Sequence, residues 1–166
     1  MWIYMILCHL FTGITIVLLV MTGYSGHFHI PLYSLNHPAF ALLCAIVYFL
    51  TETMIIFFFI ATGKEIKEYF NEELAEQHHH EQSKQIKRKV FPSTVINIFL
   101  VMVTFIIGGA VDTGILPSWI HGILFLIIII HFIKVIVVQN TGFRENAKIM
   151  VEIAGKGELL SNQKEQ

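Results

Sequence analysis

The chain has 166 residues, 55% of them hydrophobic and 14% charged, with a mean hydropathy of +0.67. So apolar a composition excludes an ordinary soluble domain and points to a polytopic membrane protein with a single membrane domain. A net charge of −1, with the basic residues confined to two segments that also carry acids, excludes a nucleic-acid partner. The two cysteines, Cys8 and Cys44, lie in apolar runs that the topology below puts near opposite faces, so they read as small core residues rather than a disulfide.

The first apolar run, residues 2–21, is broken only by His9, Thr12, Gly13 and Thr15. It lacks the basic n-region of a signal peptide and is too long for an h-region, so it is expected to be a first span. A connection rich in Gly, Pro, Tyr and His follows, whose aromatics suit the headgroup layer. The second span, residues 39–63, offers 25 residues without Lys, Arg or Asp, enough to cross ~30 Å of hydrocarbon with some tilt. One carboxylate, Glu52, stands near its middle between Thr51 and Thr53. A bare charge there costs at least ~2.5 kcal/mol, so Glu52 needs a partner inside a bundle.

After Gly63 the sequence turns to a charge-laced, helix-favouring connection, residues 64–90, with Lys and Glu spaced for support along one helix face. The second helix is therefore expected to continue out of the membrane. A third span is expected from Pro92 to Val111, then a tight turn through Asp112, Thr113, Gly114 and Pro117, and a fourth span over residues 118–138 carrying His121, His131 and Lys134. These make one transmembrane domain, residues 1–142. The tail, residues 143–166, places Phe143, Ala147, Met150, Val151 and Ala154 at helical spacing, which predicts a short helix on the membrane surface and a loose end beyond Gly155.

No Lys or Arg occurs in the first 63 positions or in the turn after the third span, whereas six occur between spans two and three. The positive-inside rule then predicts both termini and residues 64–90 in the cytoplasm. The expected fold is an all-α, antiparallel bundle of four transmembrane helices, multi-pass in the cytoplasmic (inner) membrane.

Depth counted along each span brings His9, Glu52, Asn97 and His131 to the inner half of the membrane, on four different helices. Polar residues in spans tend to face the bundle interior, so these are expected to point at one another. Three chemistries fit. His9 and His131 are an axial pair for a b-type haem, with Glu52 and Asn97 beside it; or His9, Glu52 and His131 bind a metal ion directly; or the group is a hydrogen-bonded core that fixes helix register. A second cluster at the outer face, His27, His29, His37, Asp112 and His121, suits a divalent metal. His37 with His121 would also suit a second haem, and the same loop residues suit hydrogen bonding to lipid or a partner protein. An extended His27-Phe28-His29 segment would place both imidazoles on one side. The run His78-His79-His80 diverges by 100° per residue on a helix and reads as solvated linker rather than as a metal tract. With no phosphate-binding glycine loop, nucleophile elbow or zinc-protease helix, a soluble-type enzyme site is unsupported.

Four short spans with histidines on the first and last resemble, in outline, the small cytochrome b membrane-anchor subunits of respiratory complexes, on His9, His121 and His131 alone. The two middle spans carry no deep histidine, where such anchors often take ligands. The resemblance implies a small subunit of a redox or energy-converting membrane assembly holding haem for electron transfer, with lipid and larger membrane subunits as partners. A cofactor-free accessory subunit, or a proton or metal conduit centred on Glu52, is the alternative.

Overall fold

The computed structural model describes residues 1–28, 30, 35–72 and 74–164, with side chains through Gly157. Among these the chain is four helices: α1 (Trp2–Phe28), α2 (His37–Asn71), α3 (Gln77–Asp112) and α4 (Ser118–Lys164). Each is long and apolar enough to cross a membrane. The helix starts and stops follow from local chemistry. Asn36 caps α2 by accepting the amide of Ala39 at 3.1 Å, with Pro38 in the first turn, where no amide proton is needed. At the other end of α3, Gly114 takes a φ of +76°, a left-handed conformation that an L side chain resists, and so closes the turn into α4.

Length separates α1 from the rest. At 1.5 Å per residue, α2 and α3 run to roughly 50 Å and α4 to roughly 70 Å, well beyond a hydrocarbon core of ~30 Å. The excess of the three helices gathers at the end of the bundle where α1 begins. There the charge-laced parts of α2 and α3 pack with the distal half of α4 around Ile66, Ile86, Ile149 and Ile153, and Met1 and Tyr4 close one side of the same cluster. Three helices thus extend past the start of the fourth as a stalk.

Two expected boundaries move. The helix that carries the third span begins at Gln77, inside the connection expected to be helical, and Pro92 lies within it rather than at its start, where its ring forgoes the amide bond to the carbonyl of Arg88. Burial of Ile86 and Val90 on the near side and of Thr94 and Asn97 on the far side holds the helix through that gap. The residues expected to form a separate surface helix after residue 142 continue α4 without a break, helical to Lys164. Phe143, Ile149 and Ile153 are buried, because α2 and α3 extend far enough to cover them.

Between membrane and stalk sits an aromatic plug. Phe58, Phe59 and Phe143 meet pairwise with ring centres 4.9–5.2 Å apart, separations typical of favourable offset and edge contacts. Gly142 permits that approach: a Cβ there would stand 2.9 Å from Val90 Cγ2 and 3.0 Å from Phe59 Cζ. A second apolar cluster, built from Leu19, Cys44, Tyr48, Val101, Ile128 and Phe132, fills the bundle on the opposite side of Glu52. Both cysteines are free and buried.

Candidate functional site

Between the two apolar clusters lies a layer of polar side chains whose placement follows from helical period. Tyr48 and Glu52 are four residues apart on α2, Thr94 and Asn97 three apart on α3, and His131 and Gln139 eight apart on α4, so each pair shares a helix face. The three faces converge. Tyr48, Glu52, Thr94 and Asn97 are completely buried, and Gln139 nearly so.

The hydrogen bonds form two runs that approach Glu52 from opposite sides. With its Nδ2 donating to the Tyr48 hydroxyl, Asn97 has its Oδ1 free to accept. His131 Nδ1 lies 2.8 Å from that oxygen and therefore carries the proton. Having accepted from Asn97, Tyr48 keeps its own hydroxyl proton one helical turn from Glu52. From the other side Gln139 Nε2 donates to Glu52 Oε2 at 2.6 Å and to Thr94 Oγ1 at 3.1 Å. Every group in the layer other than Glu52 and His131 is a neutral amide or hydroxyl, and among the described residues no lysine or arginine meets the carboxyl. Glu52 Oε1 and Gln139 Oε1 are buried with no hydrogen-bond partner. A proton arriving at Oε1 would neutralise the carboxyl and so remove the cost of a bare charge in the bundle, at least ~2.5 kcal/mol.

Of the four inner residues expected together, the structure joins His131 directly to Asn97, and Asn97 to Tyr48, which stands one helical turn from Glu52. His9 is elsewhere. Its Nδ1 donates to the Met5 carbonyl at 2.7 Å, and its ring rests on Phe143 with centres 4.9 Å apart. Phe143 is twelve residues beyond His131 on α4, or ~18 Å along the helix. Two imidazoles on such different levels do not ligate one haem iron, so the expected axial pair is not framed. The start of α1 and the end of the apolar run of α4 lie at different levels, which puts His9 beside the aromatic plug rather than beside His131. Gln139, Thr94 and Tyr48 were missed, although a signal for them existed in their spacing from His131, Asn97 and Glu52. Thr15 of α1 and Thr51 of α2 share a hydrogen bond of 2.9 Å, which ties α1 to the same region; Thr53 faces out.

The outer cluster divides. His29 lies outside the described residues. His27 and Phe28 belong to α1, so these two residues are helical rather than extended, and exposed His27 packs edge-on against Phe28. Asp112 is exposed where α3 ends. His37 and His121 do come together, with ring centres 6.2 Å apart.

The histidine run is not a solvated linker throughout. His79 is 5% exposed, covered by the distal part of α4, and its Nε2 lies 3.2 Å from Glu152 Oε2. His78, His79 and Glu152 bring potential ligand atoms within 4.8 Å of one another. The hydrogen bonding, however, speaks against a metal. His79 Nδ1 accepts the backbone amide of Glu76 at 3.1 Å, which fixes the ring proton on Nε2, the nitrogen a metal would need bare. The arrangement is a clasp between the start of α3 and α4. Lys156, 3.2 Å from Glu76, reinforces it and holds the Glu76 carboxyl below the usual carboxylate range.

Comparison with protein-family models, with curated proteins and with solved structures finds no match to this chain.

Proposed function

We propose that the chain is a small multi-pass membrane subunit in which Glu52 exchanges protons inside the bilayer, as part of a larger redox or energy-converting assembly. The observation that carries this reading is the setting of Glu52: fully buried, one oxygen held by Gln139 and the other bare, with no cationic partner among the described residues. An ionisable group so placed is expensive unless it is used. Gln139 and Thr94 position the carboxyl, and the His131–Asn97 bond orients Tyr48 beside it. The helices are antiparallel, with both termini and residues 64–90 in the cytoplasm. This topology is supported by the pairing of Thr15 with Thr51 and of Tyr4 with Met54, and by the absence of Lys and Arg from the first 63 positions. Large apolar residues lie exposed along all four helices, surfaces suited to lipid and to neighbouring subunits.

The test is infrared difference spectroscopy of the reconstituted protein as pH is stepped from acid to alkaline, with proton flux across the same vesicles followed by an entrapped pH dye. A titrating carboxyl C=O band and a flux, both lost in Glu52→Gln, are expected. If the band and flux are absent, or both survive in Glu52→Gln, the reading is wrong. A cofactor-free structural subunit is then the better account, and the Thr15–Thr51 and Asn97 bonds that bind the helices together favour it.

A further inference from the structure

We infer that His37 and His121 bind a late first-row transition-metal ion, copper(II) most tightly, at the end of the bundle remote from Glu52. His37 opens α2 and His121 lies in the first turn of α4, eighty-four residues apart in sequence, yet their rings meet edge to face with centres 6.2 Å apart and planes at 75°. With each ligating nitrogen ~2.0–2.1 Å from a shared ion, two ring centres would stand roughly 5–6 Å apart according to the ligand angle, so a small inward movement closes the site.

Each ring is also seated. A Cβ on Gly26 of α1 would stand 2.8 Å from His37 Cε1, and one on Gly108 of α3 would stand 2.9 Å from His121 Cε1. Glycine at these positions lets each imidazole lie directly on a neighbouring backbone, so all four helices shape the pair. His121 Nδ1 is buried with no hydrogen-bond partner, and a buried polar atom left so calls for a ligand. Two imidazoles do not complete the tetrahedral set of a structural zinc site. Among divalent ions, imidazole donors hold copper most strongly, and its remaining positions are open to water or a solute ligand. The distance along α4 from His121 to Gln139 is ~27 Å, so this site stands or falls independently of Glu52.

The experiment titrates copper(II) chloride into the purified full-length protein in detergent and records nitrogen hyperfine structure by electron paramagnetic resonance. One tight site with two coupled imidazoles is expected. His37→Gln and His121→Gln should each weaken binding at least tenfold, whereas Glu52→Gln and His78→Asn/His80→Asn should leave it unchanged. Gly108→Ala keeps both histidines but displaces the His121 ring, and should weaken binding several-fold while circular dichroism shows helix content intact; it decides the matter if a histidine variant fails to fold. Binding that is unaffected by Gly108→Ala and His121→Gln, or that vanishes instead with His78→Asn/His80→Asn, overturns the inference.

Discussion

Replacing Gln139 with Leu tests whether the polar layer acts as one unit. The substitution removes both Nε2 bonds, to Glu52 Oε2 at 2.6 Å and to Thr94 Oγ1 at 3.1 Å, while roughly conserving volume. Interhelical hydrogen bonds in membranes average ~0.6 kcal/mol and reach ~1.7. The larger effect is the stranded carboxyl, since an unmet buried acceptor costs ~1–3 kcal/mol and a charged one more. The expected loss is therefore about 2–4 kcal/mol. Glu52→Leu alone strands Gln139 and should cost about 1–3 kcal/mol. The double variant strands neither the carboxyl nor the Gln139 amide, so its loss should fall short of the two single losses together by at least ~1 kcal/mol, as contacting residues in one network do. Reversible unfolding in mixed micelles, followed by the fluorescence of Trp2 and Trp119, measures all three. Losses that add within ~0.3–0.5 kcal/mol, the behaviour of distant sites, would refute the idea of a coupled layer.

Gly142→Leu should destabilise by ~1–3 kcal/mol through overpacking against Val90 and Phe59; unchanged or raised stability would mean that α4 is free to move outward there. Glu76, whose carboxyl Lys156 holds below its ordinary value, contributes stability that is present above the unfolded-state value and is lost as pH falls through the lowered folded value. Lys156→Gln should flatten that acid limb, and nuclear magnetic resonance titration should show the Glu76 carboxyl rising; an unmoved titration would remove Lys156 as the cause. For topology, a cysteine at exposed Gln82 should resist an impermeant maleimide in intact cells and react in inverted vesicles, while one at Ile115 in the turn, 75% exposed, should do the opposite. The reverse pattern would invert the whole assignment.

The spans were legible because apolar length is a composition-level signal that packing does not alter. The turn at Gly114 was legible for a similar reason, since its backbone needs are local. Partner identity in the polar layer was only half legible. Glu52, Asn97 and His131 announce themselves by cost, whereas Gln139 lies just past the end of the apolar run and looks like an interfacial residue until α4 is known to continue. The same blind spot governs the tail: Ile149 and Ile153 repeat at helical spacing whether they meet lipid or protein, and only the neighbouring length of α2 and α3 decides. His79 reads as linker for want of any local sign that residues more than seventy positions later would cover it.

The unbroken course of α4 makes it a ruler. His121, His131, Gln139, Phe143 and Glu152 are all marks on one rod, each read against a different neighbour: His37, Asn97, Glu52, the aromatic plug and His79. Inserting one residue after Val135 would turn everything beyond it by 100° and advance it by about 1.5 Å. The His121 and His131 contacts would survive, while Gln139, Phe143 and Glu152 would lose their partners together. Substitutions along this helix should thus be tolerated far better than changes in its length. A library that paired single-residue insertions with substitutions at the same α4 sites, scored by folded yield, would expose any place where the rod is in fact jointed, because insertions there would be as harmless as substitutions.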